Sequence, residues 1–272
     1  MFVCRWALAT FLCVGISAIS ALAQDSNQGA WDPNQTTSQG GDPIVAVPNR
    51  PTFSTTAEAV QKGVFEVEYG LEAADGHQNI NGLLKFGLLT NLELRYGNNP
   101  IVRDSGVVGF GDSGAGLKLR FIKQKGALPT LSALYTATIP TATAGLGTRT
   151  LGHSAGILVS KDFGKHHLYF NESVQWFGRP SATGFDRDYF TAVAYTHALT
   201  AKLQATAEIA GFSRANTINP STLTILLAQT YAVSPRLVLD GGCYIAGRGN
   251  LPRATFFLGI TYSVVDLYHH RR

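Results

Sequence analysis

From residue 63 to residue 265 the chain repeats one pattern, in which large apolar residues alternate with charged, small or hydroxylated ones. In GVFEVEYGLEA (63–73), Phe65, Val67, Tyr69 and Leu71 alternate with Glu66, Glu68, Gly70 and Glu72. Period-two alternation puts the two sets on opposite faces of a strand. The pattern predicts strands over 63–73, 80–89, 91–98, 111–122, 129–139, 150–160, 166–177, 188–198, 201–211, 222–232, 236–246 and 254–265. The joints after every second strand are short: Leu89-Thr90-Asn91, Lys123 to Ala127, Lys161 to Lys165, Ala198-Leu199-Thr200 and Val233-Ser234-Pro235. The intervening connections, 74–79, 99–110, 140–149, 178–187, 212–221 and 247–253, are longer and rich in Gly, Asn, Pro and Arg.

Almost no chain is left over to cover these strands with a second layer. A soluble sandwich would need two apolar inner faces and polar outer ones, whereas several strands here place small or ionic residues on their only other face. In the inverted arrangement apolar faces meet lipid and charged faces line a lumen. The expected fold class is all-β, a transmembrane up-and-down antiparallel β-barrel of about 12 strands, with ten or fourteen left open by boundary errors of about ±2–4 residues. Short turns on one side and long loops on the other are the asymmetry of bacterial barrels, and an even count puts both termini in the periplasm.

The first fifty residues stand apart. Arg5 precedes an apolar run from Trp6 to Ile19, and Ala21-Leu22-Ala23 is a small-x-small cleavage site, so residues 1–23 read as a signal peptide cut after Ala23. The run is short for a spanning helix, which needs about 20 apolar residues. Cys13 lies within the apolar region and lacks the small preceding residue that lipoprotein processing requires. Residues 24–50, rich in Gln, Asn, Asp, Gly and Pro, bury too little apolar surface to offset the entropy of ordering. They read as a flexible periplasmic arm, with a plug folded into the barrel mouth as the alternative. The domains are then signal peptide 1–23, arm 24–50 and barrel 51–272.

Composition narrows the function. Charged residues are 15% of the chain, against roughly 25% in soluble domains. Cleavage removes only Arg5, leaving a net charge of about +3 with no basic block, so nucleic acid is not an expected partner. Cys243 is the one cysteine beyond the signal, expected on a lipid face beside Leu239 and Ile245, without metal-ligand spacing around it. No cofactor and no metal is expected. Gly109-Phe110-Gly111-Asp112-Ser113-Gly114 fits GxGxxG, but a strand follows where dinucleotide binding needs a helix. Gly152-His153-Ser154-Ala155-Gly156 fits GxSxG, yet it lies inside a strand, with His153 on the face opposite Ser154. A serine hydrolase is therefore a remote reading, and no catalytic residues are assigned. His166-His167 and His269-His270 read as turn and tail groups, since no third and fourth ligand recur nearby.

The lumen carries the chemistry. Strand alternation lines one wall with Glu66, Glu68, Lys85, Glu93, Arg95, Lys118 and Arg120, and the opposite wall with Lys202, Glu208 and Asp240. Glu66 and Glu68 approach Lys85 from the first hairpin, and Lys85 faces Glu93 and Arg95 across the second; if the next strands pair about loop 99–110, Arg95 falls near Lys118 and Glu93 near Arg120. Opposite charges across strands attract; such a lattice either cross-braces a narrow interior or forms a selectivity constriction. One acid sits on the wrong face: in strand 166–177, Glu172 shares a side with Leu168, Phe170, Val174 and Trp176. Gln229 poses a milder version of the problem. A carboxylate at membrane depth implies a bulge, a protonated acid or a protein contact, and a bulge there would make a lateral opening for apolar cargo.

Several runs in order resemble one family, the outer-membrane proteins named for the MetA (meta-cleavage) pathway of phenol degradation. They are NRPTFSTTAEAVQKG (49–63), LLKFGLLTNLELRYG (83–97), GFGDSGAGLKLRF (109–121), PTLSALYTATIPTA (129–142), Glu208 and YAVSPRLVLDGG (231–242). The chain departs from the family pattern at Thr52, where an acid is usual, and at its end, which runs on through Asp266 to Arg272. The resemblance implies a passive outer-membrane channel for small hydrophobic or aromatic compounds, with outer-membrane lipid and such a solute as partners. Twelve strands lie between the side-chain-filled barrels of about 8 and the open pores of 16 or more, so any pore is narrow. A structural or surface-interaction barrel with a filled lumen is the competing expectation.

Overall fold

A computed structural model describes residues 44–179, 183–216, 220–249 and 251–268. Its strands are β1 (Val64–Ala74), β2 (His77–Leu89), β3 (Leu92–Asp104), β4 (Val107–Gly109), β5 (Ser113–Ile122), β6 (Thr130–Ile139), β7 (Gly152–Phe163), β8 (His166–Gly178), β9 (Phe185–Ala198), β10 (Leu203–Phe212), β11 (Thr222–Ser234), β12 (Leu237–Arg248) and β13 (Ala254–Asp266). Twelve of them form a closed antiparallel barrel, each paired with its neighbours in sequence. β1 closes the ring on β13 from Val64↔Asp266 to Ala73↔Phe256. The short β4 pairs with β3 alone among the described strands, as the return limb of a hairpin.

Alternation sets the two faces. Leu71, Leu94, Leu117, Ile225, Leu227 and Leu258 are exposed on the outside, while Glu66, Lys85, Glu93, Lys118 and Glu208 are buried within. Cys243 takes the outer face with Leu239 and Ile245, which are exposed. Two clusters of rings mark opposite ends of the outer wall of β6–β9: Phe163, His166 and Tyr195 at one end, Tyr135, His153 and Phe185 at the other. Such girdles flank the apolar band of transmembrane barrels.

Two connections expected to be long are hairpin turns. Asp75 and Gly76 alone join β1 to β2, with Gly76 at φ +70°. Ser105 (φ +48°) and Gly106 (φ +88°) join β3 to β4. At Ser105-Gly106 two residues with positive φ match the twist of paired strands; with both turns this tight, β2 and β3 run further than their alternation indicates. Asp112, within the GxGxxG run, accepts hydrogen bonds from the backbone of Ala142 (3.1 Å) and Thr148 (2.8 Å), which ties down the connection between β6 and β7. Ser154 lies mid-strand on β7, paired with Thr136, and its GxSxG run makes no turn.

The described residues before β1 do not lie outside the barrel. Residues 44–62 occupy the lumen, with Ile44, Val47 and Val60 packed on Val64 of β1 as a buried apolar cluster. Of the expected arm, residues 44–50 are interior, and the rest lies outside the described residues. The physical reason is that a barrel lined with ionised and hydroxylated groups offers an irregular segment the hydrogen-bond partners that its sequence lacks.

Candidate functional site

Residues 44–62 form no regular strand or helix apart from one bridge at Lys62. Each backbone N–H in such a segment needs an acceptor once water is excluded. The wall supplies them in sequence. Glu66 accepts from Val47 N (2.9 Å), and Glu68 from Asn49 N (2.9 Å) and Arg50 N (3.2 Å). Glu208, across the lumen on β10, accepts from Phe53 N and Ser54 N, both at 2.7 Å. Asn171 of β8 both accepts from Thr55 N (2.6 Å) and donates to Thr55 O (3.0 Å). Ser160 of β7 accepts from Ala57 N (2.8 Å), and Glu93 of β3 from Val60 N (2.9 Å). The segment thus circles the inner wall before entering β1, held mainly through its backbone.

Cations complete the arrangement. Lys85 donates to Val47 O (2.6 Å) and pairs with Glu66 (2.5 Å) and Glu68. Lys118 pairs with Glu93 (3.3 Å) and donates to Thr56 O (3.2 Å). Both ammonium groups are fully buried, so each charge relies on these partners. Arg95 adds a second cation on Glu93, at 3.2 Å.

The expected lattice therefore exists with a different register. Glu93 lies opposite Lys118 and Arg95 opposite Gly116, two residues from the pairing inferred about loop 99–110. The shift separates Arg95 from Lys118 across the ladder. Arg120 does not meet Glu93; it pairs with Glu58 of the internal segment, whose other oxygen accepts from Thr130 (2.7 Å). Asp240 faces inward as expected and binds Arg50. Lys202 does not line the lumen: it is exposed in the turn between β9 and β10, because the ladder of β10 begins at Leu203.

Glu172 is likewise corrected. The ladders of β8 with β7 and with β9 run without a register shift through Ile157↔Glu172 and Glu172↔Thr191. No bulge and no lateral opening occurs there. On the outer wall its carboxylate accepts a hydrogen bond from Thr191 Oγ1 at 2.6 Å, a partner the neighbouring strand supplies in place of water. His167 faces inward against Asp162 (2.7 Å) and His166 outward against Tyr195 OH (2.6 Å), so the adjacent histidines diverge. His269 and His270 lie outside the described residues.

Toward the long loops the lumen is hollow. A cavity of about 250 Å³ lies against residues 49–55. Phe53, Leu226, Tyr244 and Phe257 give it apolar surface, and Arg50, Glu68, Glu72, Asn81 and Arg95 give it polar groups beside that surface. Phe53, at the tip of the internal segment, packs edge-on against Tyr244 with ring centroids 5.0 Å apart. Tyr244 OH donates to Glu72 (3.5 Å), which also accepts from Asn81 Nδ2 (2.5 Å). The sequence reading missed Arg50, Glu58, Asn81, Asn171 and Tyr244; the one available signal was an inner face with more hydrogen-bonding capacity than its own ladder uses.

Three solved barrels share this architecture. An outer membrane channel from Pseudomonas putida superposes with a TM-score of 0.58 at 14% identity, over 76% of this chain and 97% of that one. The NanC porin gives 0.55 at 8% identity over 74% and 100%, and the KdgM porin 0.54 at 8% over 74% and 99%. The chain has the fold of outer-membrane porins and channels. No protein-family model matches the sequence, and no curated protein sequence does.

Proposed function

We propose that this protein is a passive outer-membrane channel for small hydrophobic or aromatic compounds, with residues 44–62 as its internal barrier. The observation that carries this reading is the cavity of mixed apolar and polar lining against Phe53, Tyr244 and Phe257. Its volume, about 250 Å³, lies just under the roughly 300–1,000 Å³ of pockets that take drug-sized ligands, which suits a single small ring. Ring faces and Leu226 receive an apolar body, while Glu72, Asn81 and Arg95 meet a polar substituent. The fold shared with porins and channels supports the same class, and with it a location in outer-membrane lipid.

The finer placement belongs to this proposal as well. Residues 1–23 act as the signal peptide, cut after Ala23, and the short turns and both termini face the periplasm. The ordered resemblance over residues 49–265 supports membership of the phenol MetA-pathway kind. Reconstitution tests the reading: liposomes bearing the protein take up phenol faster than empty ones and faster than a sugar, and Phe257→Ala raises the phenol rate by widening the cavity. Absence of both flux and conductance overturns it.

One observation favours a second reading, a structural or surface-interaction barrel with a filled lumen. The cluster of Ile44, Val47, Val60 and Val64 fills the short-turn half. On that reading, exchanging the loops 140–149 and 178–187 abolishes binding of a surface partner and leaves permeability unchanged.

A further inference from the structure

The contact between Arg50 and the wall is built differently from most of the segment's attachments. Most are wall side chains that reach in and capture its backbone; Arg50, like Glu58, reaches out with its own side chain, and among the described residues it alone enters a slot lined by glycines. Four residues face inward in a single cross-strand row: Asp240 on β12, Gly259 on β13, Gly70 on β1 and Asn81 on β2. The row spans the seam where the first and last strands close the barrel. Its two ends are hydrogen-bond acceptors, and its two middle positions have no side chain.

The guanidinium of Arg50 fills that gap. Its Nε bonds Asp240 Oδ2 at 3.1 Å, Nη2 bonds Asp240 Oδ1 at 3.1 Å, and Nη1 bonds Asn81 Oδ1 at 2.8 Å. Nη2 also approaches the carbonyl of Leu258 at 3.4 Å. A Cβ on Gly70 would lie 2.2 Å from Arg50 Cζ, and one on Gly259 2.1 Å from Arg50 Nε. Any side chain at either position would evict the guanidinium. Neither glycine has a positive φ, so close approach is what requires them. The Phe257 ring, 5.9 Å from Arg50 Cζ, covers part of the plane.

The slot is wired to the cavity. Asn81, which receives Arg50, donates to Glu72; Glu72 receives Tyr244; and Tyr244 packs on Phe53 at the tip of the same segment. The turn 50–55 is therefore clamped at its start by Arg50, in the slot and on Glu68, and further along by Phe53–Ser54 on Glu208 and Thr55 on Asn171. Residues 56–62 are instead pinned by the buried cations and run directly into β1.

We infer that Arg50 is the positioning residue that holds the barrier shut. The Asp240–Gly259–Gly70–Asn81 row is its receptor, and leaving that row lets the turn 50–55 lift away from the lumen while residues 56–62 stay in place. The inference rests on the channel reading for its consequence but not for its geometry, which allows two separate measurements. Ser54 is 1% exposed beneath the turn, so Ser54→Cys in a Cys243→Ser background reports lifting by reaction with a charged thiol reagent. Conductance in planar bilayers reports passage.

Arg50→Ala and, independently, Gly259→Ala are expected to raise the Ser54→Cys labelling rate by about tenfold or more, the scale of a population shift after losing a bidentate pair. Conductance rises in parallel, while heat-modifiable migration on gels and the denaturation midpoint in detergent report an intact barrel. Arg50→Lys recovers only part of the protection, because one ammonium cannot span Asp240 and Asn81 together. Gly259→Ala leaves every ionised group of the slot in place, so it answers the question even if Arg50→Ala fails to fold. Faster labelling without conductance upholds the latch and overturns the channel reading. Unchanged labelling in a folded Gly259→Ala barrel overturns the latch.

Discussion

Toward the short turns, the lumen holds Lys85 and Lys118 with the carboxylates of Glu66, Glu68 and Glu93, all packed against residues 44–62. Toward the long loops the same ring of strands presents Leu226, Tyr244 and Phe257 around a cavity. The filled half is therefore the more highly charged, and the hollow half carries the larger apolar groups. A threaded backbone explains the inversion. Its amides require acceptors and its carbonyls require donors, and ionised side chains meet that need more strongly than neutral ones. Beyond the turn 50–55 fewer backbone groups need partners, and there Glu72, Asn81 and Tyr244 satisfy one another among the rings. The difference separates a region that holds the barrier from a region that can receive a solute.

The contrast breaks most visibly at Lys85. Lys85→Met leaves Glu66 and Glu68 buried without their cation, and unfolding by guanidinium in detergent should show a loss of about 3–5 kcal/mol. A loss comparable to that of a neutral surface substitution would mean that the charged half is braced in some other way. Glu208→Gln comes next. It keeps the shape but weakens the acceptors of Phe53 N and Ser54 N, at an expected cost of about 1–3 kcal/mol. Hydrogen exchange should then speed up at those two amides and leave Val60 unaffected; equal acceleration along the whole segment would erase the distinction between turn 50–55 and residues 56–62. The smallest effect is expected on the outer wall, which belongs to neither half. Glu172→Leu should stabilise the barrel by roughly 1 kcal/mol, since a carboxylate on the lipid face is mildly unfavourable. Solute flux should not change, because the ladder through β8 is continuous.

Much of the barrel is legible because period-two alternation is a local property. Phe65 to Glu72 declare two faces without reference to any other strand, and the same holds for most of the twelve staves. Asp75-Gly76 carries turn chemistry as well, but the polar residues 77–79 after it look like more loop and are strand. Register was not legible. A shift of two residues keeps every side chain on its own face, so alternation cannot distinguish Glu93 beside Arg120 from Glu93 beside Lys118. Lys202 follows the same logic at a strand end, where one residue decides between ladder and turn.

The sequence by itself determined the two faces of most strands, a strand count near twelve, and that the interior would hold more charge than a soluble core tolerates. Only the tertiary structure decided what those charges are for. Residues 44–62 show no periodicity, so nothing local announces that they lie inside the barrel. Their position follows from bonds to residues as distant as Asn171 and Glu208, and from a slot made of residues 70, 81, 240 and 259. Closure of the ring is what brings β12, β13, β1 and β2 side by side. An alternating pattern fixes direction within a strand, but the meeting of distant strands depends on the whole ladder at once.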